Sequence, residues 1–472
     1  MSKIVENNAS SMWQRRLGKV VGYHLLVESW EVAKLAFPMV LVQLGQIAIM
    51  TINTAFIGRI GVEALGAVAL ASKVYLFMFT LGIGPLVAVP TLTAQAFGAN
   101  DPAKVRRSLR MGLWMAMLLS IPIAAVALRA EALLVALGQA PDVARLGQQY
   151  LSGLVWGVAP ALSLLVIRGF MGGVNRPEPV FWITLSAIPV NALLNYLLIY
   201  GKFGLPRLEL FGSGLATALV NSATFSAGLW VATTRRPFRN YHVLAQFWRV
   251  DWPSMRQLLA VGAPISIAFL MKDGLFSAGA LLAGLIGTSA LAAHQVTLQV
   301  AAIPSMISFG ISTAAAVRVG NAVGRRDGYS VWRAGVAAIL IGVAIAAVWT
   351  VLVIVARFEI AELLLGGLPE SETTIGLTAT LLLVGASLFV TDAAQSIAAG
   401  GLRGLRDTRV PILLAGTAYW VFGFSLSYIL SSEMGLGAIG IWMGISIGTA
   451  IYAGLLVSRF LSLANKRAQS SA

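Results

Sequence analysis

Residues 389–411 read FVTDAAQSIAAGGLRGLRDTRVP, and they continue an apolar run, TATLLLVGASLFV (378–390). Asp392 therefore sits between two apolar stretches, and positive charge returns only at Arg403. Within a membrane a carboxylate is costly, so it faces a bundle interior or a water-filled cavity. Gln395 lies three residues on and shares the helix face, which makes a narrow polar strip on a helix otherwise rich in Ala, Gly, Leu and Val. The strip has two readings: a hydrogen bond that holds helices together, or an ion or proton site.

The chain on either side has the same character. Of 472 residues, 58% are hydrophobic and 11% charged, against about 25% charged in soluble domains. Apolar runs of spanning length, about 20 residues, occur at 33–57, 64–97, 109–129, 150–171, 178–200, 211–233, 257–286, 290–322, 331–356, 376–401, 409–431 and 436–461. They are continuous instead of alternating, which predicts an all-α integral membrane protein of twelve helices and excludes a barrel.

A net charge of +15 raises the question of nucleic acid, but the placement of the charge answers it. With the N-terminus inside, the even-numbered connections hold Lys104, Arg106, Arg107, Arg110, Arg168, Arg176, Arg235, Arg236, Arg318, Arg325, Arg326, Arg333, Arg403 and Arg406, whereas the odd-numbered ones hold few, such as Arg59, Arg129 and Lys202. This positive-inside bias predicts a multi-pass protein of the bacterial inner membrane with both termini cytoplasmic. The chain has no cysteine, which excludes disulfides and thiolate metal sites. Its histidines, His24, His242 and His294, are too scattered to hold a metal. The N-terminal residues show no cleavable signal pattern. No P-loop, dinucleotide fingerprint or HExxH occurs, so neither ATP hydrolysis nor a cofactor is expected.

The two halves of the chain repeat each other. A shift of 226 (264 − 38) sets Pro38 on Pro264, Gly61 on Gly287, Gly98 on Gly324, Asp101 on Asp327 and Arg107 on Arg333; farther on, a shift of 232 (404 − 172) sets Gly172 on Gly404, Pro179 on Pro411 and Tyr196 on Tyr428. An even number of spans per repeat gives both copies the same orientation, with substrate at their interface. The organisation expected is a cytoplasmic tail and amphipathic lead-in (1–32), a six-helix bundle (33–234), a basic linker (235–256), a second six-helix bundle (257–462) and a short tail (463–472). The two pseudo-symmetric bundles would enclose a central cavity. The first helix is expected to open at Pro38, with Glu28 and Glu31 on a solvated face. The linker reads as an interfacial helix among headgroups, and residues 131–150 as a periplasmic cap over the cavity.

Several polar residues lie inside apolar runs. Asn191 and Asn195 share one face of the fifth span, with Tyr196 close by, and buried amides need partners. Lys272 and Asp273 are adjacent in ISIAFLMKDGLFSAGALL (265–282). Neighbouring helix positions point about 100° apart, so Lys272 can seek Asp392 while Asp273 faces elsewhere. Lys73 in the second span can snorkel to the periplasmic interface or touch substrate. His294 reads as a helix-contact residue.

Asp392 and Gln395, followed by Gly401-Leu402-Arg403-Gly404, Asp407-Thr408, Pro411 and Tyr419-Trp420, resemble the tenth-helix region of the multidrug and toxic compound extrusion (MATE) family, NorM-like branch. The resemblance runs from Pro38 to the last apolar helix. It implies an antiporter, not an enzyme, that exports small organic compounds in exchange for H⁺ or Na⁺ by alternating access, in contact with membrane lipids and as a monomer. Asp392, Gln395 and Asp273 are then the cation-coupling candidates, and Lys272, Asn53, Asn191, Asn195, Tyr196 and Lys73 the candidates for lining the substrate cavity. Two positions depart from the family pattern: Asn53 stands where NorM-like members usually carry an acid, and Lys272 where they usually carry a glutamate. With that positive charge added, the expected cargo is neutral, zwitterionic or anionic and the expected ion H⁺. A flippase or exporter of a lipid-linked or anionic metabolite is the competing transporter reading. A membrane-embedded enzyme lacks any cluster of nucleophile, base or metal ligands.

Overall fold

The computed structural model describes the backbone of residues 2–204, 206–366 and 371–470, and side chains from Leu25 onward other than residue 371. Eleven helices among these are long and apolar enough to span: Leu25–Gly58, Val62–Gly98, Pro102–Leu128, Pro141–Gly173, Glu178–Tyr200, Glu209–Thr234, Trp252–Ile286, Thr288–Gly324, Gly328–Val355, Arg409–Glu433 and Gly437–Ser470. A bent pair, Glu372–Val384 and Ala386–Gly404, turned by 42°, makes the tenth of twelve spans in chain order. The protein is thus an all-α membrane protein of twelve spans.

The spans form two bundles because each half closes its own core. Leu109, Met111, Leu162 and Phe170 are fully buried in the first half, and Phe389, Tyr419, Trp442 and Phe460 in the second. Lipid is as apolar as these side chains, so association rests on close packing and on hydrogen bonds between helices. The repeat is visible in backbone detail. At the corner after the second span the N–H of Asp101 donates to Ala96 O, and after the eighth the N–H of Asp327 donates to Ala322 O, each at 3.0 Å. Asn100 and Arg326 both take positive φ, 53° and 60°. Asp101 and Asp327 then cap the next helix by accepting from the backbone N–H of Lys104 and Ser330, at 3.0 and 2.9 Å.

Farther along, the register differs from the sequence reading by one residue. The corner bonds Arg176 N–H to Met171 O and Asp407 N–H to Leu402 O correspond at a shift of 231 (407 − 176), not 232. The π-helical stretch Gly416–Phe424 holds more residues per turn and absorbs the extra one before Tyr428.

Both bundles meet on the membrane face that carries the basic connections, and glycine makes the meeting possible. A Cβ on Gly84 would lie 2.3 Å from Gly262 O and 2.4 Å from Ser266 Oγ, and one on Gly310 would lie 2.8 Å from Val40 Cα. These are reciprocal contacts, since 84 and 310, and 40 and 266, are 226 apart. Ser266 also donates to Leu81 O at 2.7 Å and accepts from Gly84 N–H at 3.0 Å, and Gln95 donates to Gly404 O at 2.8 Å.

Toward the opposite face the bundles part. Residues seven or eleven apart lie within about 20° of the same helix face, so Thr51 continues the face of Val40, Lys73 that of Gly84, Asp273 that of Ser266 and Gln299 that of Gly310. All four are exposed. They lie on the first, second, seventh and eighth spans, on the sides that meet the other bundle farther along each helix.

Three local expectations are corrected. The first helix does not open at Pro38: a continuous helix, Ser2–Gly58, carries Pro38 inside it. Val32, Leu35 and Ala36 of its lead-in pack on Ala314, Ala315 and Ala337 of the other half, and Glu28 is not on a solvated face but paired with Arg318 at 2.6 Å. The linker is not a headgroup helix beyond the single turn Phe238–Tyr241; Arg110 and Trp114 hold its carbonyls at Gln246 and Phe247, at 3.0 and 2.9 Å. The polar stretch Pro141–Leu154 extends the fourth span rather than lying across the cavity, because Ala144, Gly147, Tyr150 and Leu151 are buried.

Candidate functional site

The second bundle closes around Asp392, which is 2% exposed, as is Gln395. Lys272 of the seventh span pairs with its Oδ1. Ser305 of the eighth span donates to Oδ2 at 2.6 Å, and Gln395 Nε2 donates to Oδ1 at 2.6 Å. Tyr419 of the eleventh span donates to Gln395 Oε1 at 3.0 Å. Four spans thus converge on one carboxylate. The helical offset parts Lys272 from Asp273: the lysine turns into the bundle, while Asp273 is exposed on the cavity face with no ion-pair partner among the described residues.

The first bundle has a neutral counterpart. Asn195 Nδ2 donates to Asn53 Oδ1 at 2.9 Å and to Asn191 O at 2.9 Å. Asn53 Nδ2 donates to Thr217 Oγ1 at 3.1 Å, and Ser213 Oγ to Asn195 Oδ1 at 3.0 Å. The amides join the first, fifth and sixth spans, and Asn191 and Asn195 are 0% exposed. They present no surface to the cavity here: neighbouring helices supply the partners that Asn53 and Asn195 require, whereas Asn191 meets only Asn195 and its Nδ2 has no hydrogen-bond partner.

Of the remaining cavity candidates, Lys73 and Tyr196 are both exposed, Lys73 continuing the face of Gly84. Tyr196 continues the exposed stripe of Trp182, Leu185, Val190 and Leu193, an apolar face suited to lipid. His294 is fully buried and accepts at Nδ1 from Trp442 Nε1 at 3.1 Å, a helix contact. Sequence reasoning missed Ser305, Thr51 and Gln299. The first is signalled only by following Pro304, and the other two become readable once the Val40 and Gly310 contacts fix the facing sides.

Two like-oriented six-span bundles meeting on one face, parted on the other, and holding a buried ion pair beside a cavity are the architecture of a secondary transporter. The comparisons with known proteins agree. The MatE family model matches residues 38–197 and 264–429, two segments that start 226 residues apart. The chain is 54% identical to the probable multidrug resistance protein NorM of Bradyrhizobium diazoefficiens, covering 94% of this chain and 95% of that one. It is 51% identical to the probable multidrug resistance protein NorM of Rhodopseudomonas palustris, covering 90% of each. In fold it matches the eukaryotic MATE transporter AtDTX14 with a TM-score of 0.83 at 19% identity, covering 95% of this chain and 100% of that one. An outward-facing MATE transporter of the MOP superfamily matches with a TM-score of 0.85 at 19% identity, covering 94% and 97%. The chain belongs to the MATE family, in its NorM-like branch.

Proposed function

We propose that this protein is a multidrug-type exporter of small organic compounds, driven by protons and working as a monomer with both termini in the cytoplasm. It is a multi-pass protein of the inner membrane. The basic, closed face is then cytoplasmic and the cavity opens to the periplasm.

The observation that carries the choice of proton is the set of donors around Asp392. Lys272, Ser305 and Gln395 occupy both of its oxygens, whereas a hard cation takes several oxygen ligands at once. The ammonium fills the place beside the carboxylate that an incoming Na⁺ would need. A proton needs only one lone pair. When it arrives, Asp392 loses the charge that holds Lys272, and an unpaired ammonium in lipid is costly. The lysine is drawn toward the cavity, one helix position from exposed Asp273. Because Asp392, Lys272 and Ser305 stand on different spans, their re-pairing favours one arrangement of these helices over another, and a differential proton affinity of this kind shifts the transport equilibrium.

The pairing also removes the ground for expecting a bias against cationic cargo. A bare lysine about 6 Å from a monovalent cation would repel it by roughly 3 kcal/mol at an effective dielectric of 20. Lys272 is instead neutralised by Asp392, and the cavity wall carries Asp273 on one side and Lys73 on the other.

Expression in a strain that lacks its own exporters tests the activity. Resistance to structurally unrelated compounds is expected to rise with the wild type and to return to baseline with Asp392→Asn at equal membrane abundance. No rise in resistance with a well-expressed wild type would refute the export reading.

A further inference from the structure

We propose that a second site, distinct from the proton site, lies between the bundles on the cytoplasmic side and binds the oxyanion head of an amphiphile through Arg168. Arg168 is five residues from the end of the helix Val158–Gly173, about 7–8 Å along the axis. Its neighbour Gly169 brings the fourth span so close to the second that a Cβ there would lie 2.7 Å from Pro90. Its Nε is enclosed and has no hydrogen-bond partner, and no described carboxylate pairs with it.

Arg168 lines a cavity of about 80 Å³, whose walls include Met39, Gln43, Leu86, Phe309 and Thr313. At about 30 Å³ per water, this is room for two or three waters or for one phosphate, sulfonate or carboxylate group. An uncompensated cation in an apolar wall is unfavourable, and a guanidinium fork matches an oxyanion through two parallel hydrogen bonds. Gln43 and Thr313 add polar side chains to the wall and the remaining walls are apolar, so a hydrocarbon tail would leave through the cavity mouth. The ligand chemistry is therefore an amphipathic anion.

Phe309, Gly310 and Thr313 come from the second bundle and Met39, Leu86 and Arg168 from the first. An occupant touches both bundles where they close, so it favours the cytoplasm-closed state. An anionic lipid of the inner leaflet and an anionic cargo both carry this chemistry.

The test uses purified full-length protein in neutral detergent, with the thermal unfolding midpoint as readout and dodecyl phosphate, dodecyltrimethylammonium and inorganic phosphate as probes. Dodecyl phosphate is expected to raise the midpoint of the wild type, the ammonium amphiphile is not, and inorganic phosphate acts only at far higher concentration. Arg168→Gln is expected to weaken the response to dodecyl phosphate about tenfold or more, the scale of one charge-assisted contact, and Arg168→Lys to retain part of it. An equal response in wild type and Arg168→Gln, or an equal response to both amphiphiles, overturns the proposal. If Arg168→Gln does not fold, failure of the wild type to distinguish the two amphiphiles still overturns it.

Proteoliposomes separate the two sources. If the ligand is lipid, wild-type export of a cationic dye responds to replacing phosphatidylcholine by phosphatidylglycerol and that of Arg168→Lys responds less. If it is cargo, export of an anionic amphiphile falls more in Arg168→Lys than export of the dye does. Absence of both effects overturns the site.

Discussion

A Cβ built on Gly98 would lie 2.2 Å from the carbonyl oxygen of Asn321. The pseudo-twofold partner of this contact is the equally close approach of Gly324 to Gln95 O, also 2.2 Å, since 95 and 321, and 98 and 324, are 226 apart. Two helix ends from opposite bundles thus cross backbone to backbone on the basic face, and only glycine permits the approach.

Alanine at either position would overpack this crossing, at a cost of about 1–3 kcal/mol felt mainly in the cytoplasm-closed state. The chain has no cysteine, so Ser277→Cys on the exposed cavity face serves as a single reporter. Gly98→Ala is expected to lower its labelling by a membrane-impermeant maleimide from the periplasm. Unchanged labelling would show that the crossing does not set the conformational balance.

Glu28 and Arg318 form an ion pair across the same gate, with side chains 14% and 17% exposed, and Arg318 Nε also donates to Glu28 Oε1 at 3.1 Å. Removing Arg318 leaves Glu28 without its cation, a loss of a few kcal/mol at most, whereas removing Glu28 leaves Arg318 the longer contact with Glu31 at 3.9 Å. Glu28→Gln and Arg318→Gln should each reduce Ser277→Cys labelling, with a double variant no worse than either single. Additive effects in that cycle would show that the two residues act independently.

Asp327 caps the ninth span, and its N–H contact from Ser330 makes Asp327→Ala destabilising by about 1 kcal/mol. Burial alone would raise its carboxyl, but the Ser330 hydroxyl and N–H, with Arg333 and Arg325, hold it below the ordinary value of 3.8. A depressed folded-state pKa gives stability that is present above the ordinary value and is lost as pH falls through the folded one. The gap between the thermal midpoints of wild type and Asp327→Ala should therefore narrow as pH falls below the ordinary carboxylate value and through the depressed folded one. A gap that does not change with pH across the acid range would assign the effect to something other than the ionised cap.

In the first bundle, Asn195→Ala would leave Asn53 Oδ1 and the Ser213 hydroxyl without partners inside the protein, costing about 1–3 kcal/mol. Stability should fall while the proton dependence of export is unaltered, because no ionisable group belongs to that network. A changed pH profile for export by Asn195→Ala would bring the first bundle into the coupling mechanism.

The span count, the repeat and Asp392 as the focus of the second half were legible in the sequence, because each rests on a pattern along one helix. The apolar runs, the 226-residue offset and the polar strip with Gln395 are of that kind. Apart from the Lys272–Asp392 pair and the helix contact of His294, facts about pairs of helices were not. Ser305 beside Asp392, the burial of Asn191 and Asn195, and the place of Tyr196 on an exposed apolar stripe all depend on how neighbouring spans rotate. That rotation is set by glycine contacts such as Gly84 with Ser266, which periodicity does not reveal. Pro38 misled for a local reason: proline favours a helix start, but here the lead-in packs on the other bundle strongly enough to carry the helix through it.

The coupling role of the Asp392–Lys272 pair is tested most directly by dye transport in proteoliposomes of purified protein under an imposed ΔpH or, separately, an imposed Na⁺ gradient. Transport driven by ΔpH and not by Na⁺ is expected, abolished by Asp392→Asn in a folded, fully reconstituted protein. Transport driven by Na⁺ alone, or ΔpH-driven transport undiminished in Asp392→Asn, would contradict that role.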